Sequence, residues 1–119
     1  MLNLPKNQNT DNYNPLKEAY DEIFRRYNTI AQNVPGISRE HRYKIMQMGI
    51  HCISHHEMPI DKTSRWLGFI QGILWAGGFI DIKQEREFTR PLIHQAYIDM
   101  GKEPPETIDL DQMLIDSWE

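Results

Sequence analysis

Trp66–Gly78 reads WLGFIQGILWAGG, the one long apolar run in the chain and the site of two of its three tryptophans. Trp66, Leu67, Ile70, Ile73 and Leu74 recur at three- and four-residue spacing, which is one face of a helix. Gly68, Gly72 and Ala76 make a second stripe, flanked by Phe69 and Trp75, along which another backbone has room to approach. A helix apolar nearly all round is expected to be central and buried. Asp61, with Ser64 three residues on, predicts its N-cap, and Gly77-Gly78 predicts its end. The run is too short for a membrane span, and Gln71 interrupts it.

Working outward, the neighbouring stretches also read as helices. Asn14-Pro15 is an N-cap followed by the proline favoured at the first helical position. Leu16, Ala19, Tyr20, Ile23, Phe24, Tyr27, Ile30 and Ala31 then form an apolar stripe. Lys17, Asp21, Arg25, Asn28 and Gln32 are expected to face solvent. Val34-Pro35-Gly36 stops this helix. Ser38 caps the next, whose apolar positions are Tyr43, Ile45, Met46, Ile50 and Ile53, with Gly49 and Cys52 among them. Met58-Pro59 is expected to close it, because a residue before proline avoids the helical region. The short turn that follows predicts an antiparallel pair.

Beyond the central run, Asp81 and Gln84 form a capping box. Pro91 is expected to kink that helix or to start a new one at Arg90. Leu92, Ile93, Ala96 and Tyr97 carry its apolar face, and Gly101 ends it. Pro104-Pro105 is a rigid spacer. Asp109 with Gln112, and Ile108 with Met113, predict a last short helix bearing Leu110, Met113, Leu114 and Trp118 on one face. The expected fold is all-α: a small bundle of four main helices plus a short C-terminal one. Residues 1–13 read as a flexible arm, 14–101 as the helical domain, and 102–119 as an acidic tail.

Composition sets further bounds. The 119 residues are 39% hydrophobic and 25% charged, within the globular range. The net charge of −4 is concentrated in the tail, where six carboxylates face Lys102 alone. The body is close to neutral, so no basic face for DNA is expected. One cysteine excludes an internal disulfide, and no secretory pattern opens the chain, so a cytoplasmic setting is expected.

Three constellations are candidates for chemistry. His51, Cys52, His55, His56 and Glu57 include two pairs at the four-residue spacing that lets helical side chains share an ion. They lack a second cluster to complete a site, and the reading adopted is a polar helix end with no metal and no cofactor. Glu18, Asp21, Glu22, Glu85 and Glu87 would suit a magnesium-dependent nucleotide hydrolase if they faced one another. The reading adopted for them is a solvated face. Arg86, Arg90 and His94 share a stripe if the helix runs through Pro91, and with Arg65 they form the candidate site for a small anionic ligand. Gly68, Phe69, Gly72 and Trp75 are the candidate interface of a homodimer. No activated nucleophile or phosphate loop is visible, so no catalytic residue is assigned.

The segment Arg65–Trp75, RWLGFIQGILW, followed by a glycine turn and an Ile-Asp-Ile helix start, resembles a segment of small phage-encoded proteins of uncharacterised function. The resemblance spans about residues 61–97. It implies a bacteriophage origin, expression in the bacterial cytoplasm, and action by binding a host or defence-system factor. It supplies no catalytic residue. The functional expectation is a non-enzymatic phage accessory protein that binds a protein or a small anionic signalling molecule. The alternatives are the hydrolase and a structural homo-oligomer.

Overall fold

Asn14 opens the first helix as its sequence requires. Its side-chain oxygen accepts from the Leu16 and Lys17 amides at 3.0 and 3.2 Å, and Pro15 takes the first helical position. The computed structural model describes residues 14–105. Among these the regular elements are four α-helices: α1 Pro15–Asn33, α2 Arg39–Ser54, α3 Ile60–Ala76 and α4 Ile82–Asp99. The expected short helix after Asp109 and the arm 1–13 lie outside the described residues.

α1 is the hub. It packs against all three other helices and supplies Ile23, Phe24 and Tyr27, which are fully enclosed. Burying each such side chain is worth about 1.5–3 kcal/mol. α2 adds Ile45 and Cys52 to this core, α3 adds Leu67, Ile70 and Leu74, and α4 adds Ala96. Tyr20 pairs with Ser64 at 2.7 Å and Tyr27 with Gln71 at 2.9 Å, each pair 44 residues apart, so α1 and α3 run parallel. α2 and α4 run antiparallel to α1, as the Lys17–Cys52 and Arg26–Glu85 contacts described below require.

The WLGFIQGILWAGG helix is therefore not the centre. Its Leu67, Ile70 and Leu74 face is buried as expected, but Gly68, Gly72 and Ala76 are exposed, and Phe69 and Trp75 are 51% and 60% exposed. The physical reason is that glycines offer no side chain to bury, while the aromatic stripe of α1 does. A Cβ added at Gly68 or Gly72 would meet nothing within 4 Å.

Three further expectations are corrected. Asp61 does not cap α3. The helix starts at Ile60 after Pro59, with no side-chain cap, and Asp61 pairs with Arg65 at 3.3 Å in the first turn. α2 ends at Ser54, before Met58-Pro59, with its last turn closed at His55. Lys17 and Asp21 do not face solvent but are 6% and 7% exposed. The Lys17 ammonium bonds Asp21 and donates to the Cys52 carbonyl at 2.7 Å, where α2 has run out of amide partners.

Arg42 answers it from α2. Its guanidinium donates to the carbonyls of Ala31 and Val34 at the end of α1 and of Ile37 in the turn that follows. Each helix of this hairpin thus lends a cation to the other's C-terminus, the end that favours positive charge. Gly49 lets them approach closely, since a Cβ there would overlap Asn28 Oδ1.

The remaining local signals hold. Ser38 Oγ accepts from the His41 amide at 3.1 Å, and Asp81 Oδ2 from the Gln84 amide at 3.1 Å. Gly78 adopts φ +78°, and the Phe79 amide returns to the Leu74 carbonyl at 2.8 Å to close α3. Gly101 ends α4 in the same way at φ +73°. α4 continues through Pro91 as one helix, so no new helix starts there.

Candidate functional site

α2 has apolar residues on both sides. Ile45, Gly49 and Cys52 point into the core, while Tyr43 and Ile50 on the opposite side are 66% and 53% exposed. The sequence groups these two with Ile45, Met46 and Ile53 as apolar positions of one helix. The helix has two stripes at the same spacing, 45/49/52 and 43/47/50, and α1 can cover only one of them.

Between α2 and α3 the outer surface forms a groove of about 530 Å³, lined by Lys44, Gln47, Met48, His51, Trp66 and Phe69. Its neighbour on the outer side of α2, about 490 Å³, includes Tyr43, Met46 and Ile50 and shares Gln47 and His51 with it. The two adjoin at Gln47 and His51 and make one outward face, apolar on either side of that seam. Its floor is built by ring contacts. His51 lies 5.5 Å from Trp66 between ring centroids and stacks on His55 at 3.9 Å, with His55 Nδ1 2.8 Å from the His51 carbonyl. The Lys62 ammonium stands 5.4 Å over the Trp66 ring. Lys44 and Lys62 put two cations at the rim of this face, and among the described residues no carboxylate lines the groove.

The sequence-predicted residues divide between this face and other places. Phe69 lines the groove. Gly68, Gly72 and Trp75 are exposed on α3. Arg86, Arg90 and His94 are half-buried, and because α4 is continuous they share one stripe on it. Arg65 is exposed in the second turn of α3, where Asp61 one turn earlier takes its guanidinium.

The carboxylates proposed for a hydrolase are separated. Asp21 is turned inward onto Lys17. Glu18 and Glu22 line a hollow between α1 and α4 with Arg25 and Asp99. Glu85 is only 2% exposed, so the solvated face expected for it is corrected. It accepts from Arg26 Nε and Nη2 at 2.9 and 2.8 Å and from the Tyr27 hydroxyl at 2.7 Å, and Gln71 donates to that hydroxyl. The Arg26 guanidinium holds the Glu85 carboxyl below its ordinary range despite burial, and Tyr27 adds to this. Burial pushes the Tyr27 hydroxyl well up. This network ties α1, α3 and α4 together, with Arg26 also 4.6 Å over the Phe88 ring.

Cys52 is 1% exposed, and burial pushes its thiol up to about 11, which leaves it a weak nucleophile. Its side chain lies in the core, away from the exposed His56 with which the four-residue spacing paired it. Among the described residues, no group of three or more His, Cys, Asp or Glu side chains is placed to hold a metal ion. No described helix is long and apolar enough to cross a membrane.

Sequence reasoning missed Lys44, Gln47 and Met48 as surface-forming residues, and it read His51 as part of a polar helix end, with a metal site as the alternative. The signal available was the doubled apolar stripe of α2. No family model, curated protein or solved structure matches this chain significantly.

Proposed function

We propose that this chain is a non-enzymatic binding module that docks on another protein through the outer face of α2 and α3. The observation that carries this reading is the pair of adjoining hollows bearing Tyr43, Ile50, Trp66 and Phe69, where Tyr43, Ile50 and Phe69 are large apolar side chains left exposed side by side. The buried ionisable groups support it too. Glu85, Asp21 and Lys17 are engaged in holding helices together, and Cys52 is shielded. Resemblance of the RWLGFIQGILW segment to small phage proteins points to a host or defence-system protein in the bacterial cytoplasm as the partner.

The test compares capture from infected-cell lysate by the wild-type chain, by Phe69→Asp and by Arg90→Lys. Capture of one protein that is lost with Phe69→Asp and kept with Arg90→Lys supports the reading. Capture indifferent to Phe69 overturns it. A small anionic ligand on the Arg86, Arg90 and His94 stripe is a second reading, favoured by the continuity of α4 through Pro91. Arg90→Lys discriminates it, because lysine lacks the planar fork that grips a phosphate. A homodimer through the open Gly68/Gly72 stripe is separable by light scattering.

A further inference from the structure

The groove between α2 and α3 is apolar on its floor and cationic at its rim, with Lys44 and Lys62 beside Trp66 and Phe69. An occupant of opposite character is an acidic, amphipathic helical segment. The chain itself carries one. Residues 106–119, ETIDLDQMLIDSWE, hold five carboxylates and no lysine or arginine. Leu110, Met113, Leu114 and Trp118 fall on one face at helical spacing, behind the Asp109 and Gln112 capping pair.

The described part of the chain ends at residue 105, shortly after α4. Gln95 and Asp99, in the last turns of α4, line one hollow with Pro15 and Glu18 at the start of α1. The same end of the bundle holds the C-terminus of α2, bonded by Lys17, and the start of α3, bonded by Tyr20. His51 and Trp66 open the groove close to that end. From α4 across α1 to the α2/α3 pair is about two interhelical spacings, each about 8–10 Å. Beyond the turn that the Lys102 amide closes onto the Tyr97 carbonyl, the six residues 103–108 span at most about 20 Å when extended. A helix over 109–118 is about 15 Å long, enough to cover the stretch of α2 from His51 to Lys44.

We propose that residues 106–119 dock as an amphipathic helix in the α2/α3 groove of their own chain, with Leu114 and Trp118 against Trp66 and Phe69 and the carboxylates toward Lys44 and Lys62. The inference rests on reading this face as a docking surface. It makes the tail an internal competitor that a protein partner must displace.

The experiment uses the full chain labelled with ¹⁵N. The Trp66 indole N–H and the amides of 44–51 and 66–69 are compared between wild type, Leu114→Asp in the tail and Lys44→Glu on the exposed rim. The expected result is that both variants move the same resonances in the same direction, with the remaining amides of α1 and α4 unchanged. A synthetic 106–119 peptide added to Leu114→Asp then restores the wild-type positions, and it fails to do so when Phe69→Asp is also present. Wild-type and Leu114→Asp spectra that coincide outside the tail overturn the proposal. So does a shift pattern that disappears on dilution, which assigns the contact to the tail of a second copy. If Leu114→Asp collapses the whole spectrum, Lys44→Glu decides alone: an unchanged Trp66 indole resonance and unchanged amides of 66–69 on the facing helix overturn the proposal. Loss of partner capture by Phe69→Asp with no tail effect leaves the docking face standing and removes only the tail.

Discussion

Glu85 accepts both guanidinium bonds of Arg26, at 2.9 and 2.8 Å, from a position where only 2% of its surface is exposed. The pair joins α4 to α1, and Tyr27 and Gln71 extend it to α3. Removing one partner of such a pair leaves an uncompensated charge or an unfilled acceptor behind. Glu85→Ala is therefore expected to cost about 3 kcal/mol, read as a fall in the urea midpoint at pH 7.

The same carboxylate predicts a pH dependence. Its folded value lies below the unfolded one, so the stability it contributes is fully present above the ordinary carboxylate value of about 4.3. That contribution is lost as the pH falls from there through the lowered value. Urea midpoints measured from pH 7 to pH 3 should drop more steeply for wild type than for Glu85→Gln. Parallel curves would show that other carboxylates dominate acid unfolding.

Lys17 and Asp21 are a second buried pair, and Lys17 also closes the C-terminus of α2. Lys17→Met strands the Asp21 carboxylate and is expected to destabilise by about 3–5 kcal/mol. Lys17→Met combined with Asp21→Leu should recover much of that loss, because no buried charge remains. A double variant as unstable as the single one would locate the loss at the Cys52 carbonyl instead.

Gly49 and Asn28 meet where α1 crosses α2, and Asn28 Oδ1 has no hydrogen-bond partner there. Gly49→Ala should destabilise by about 1–3 kcal/mol through overpacking. Asn28→Ala should relieve it, so the two substitutions combine non-additively by more than about 0.5 kcal/mol in a double-mutant cycle. Additive effects would mean that the hairpin shifts rather than clashes.

Gly68 and Gly72 lie in the middle of α3 with open space where a Cβ would be. Gly72→Ala is expected to raise stability by about 1 kcal/mol through helix propensity alone. A fall in stability relative to wild type that is largest at high protein concentration and fades on dilution would instead show a second chain packed along this stripe.

Helix existence and most helix ends were legible in the sequence because they are local chemistry. Asn14, Ser38 and Asp81 satisfy amides two or three residues away, and Gly78 and Gly101 supply left-handed turns, so no distant partner is needed. The inner stripes 16/20/23/27 and 67/70/74 were legible for the same reason: helical periodicity alone puts each on one face. Tertiary structure decided which helix is central. Apolarity favoured α3, but the large side chains of α1 fill the volume between three neighbours, and the glycines of α3 cannot. It also decided which charges are buried. Lys17, Asp21 and Glu85 look like surface residues in the chain, and only the arrival of Cys52 or Arg26 from another helix makes their burial tolerable. The outer groove was decided in the same way. Tyr43 and Ile50 repeat with helical spacing as surely as Ile45 and Cys52, and only the choice of stripe that α1 covers leaves them outside.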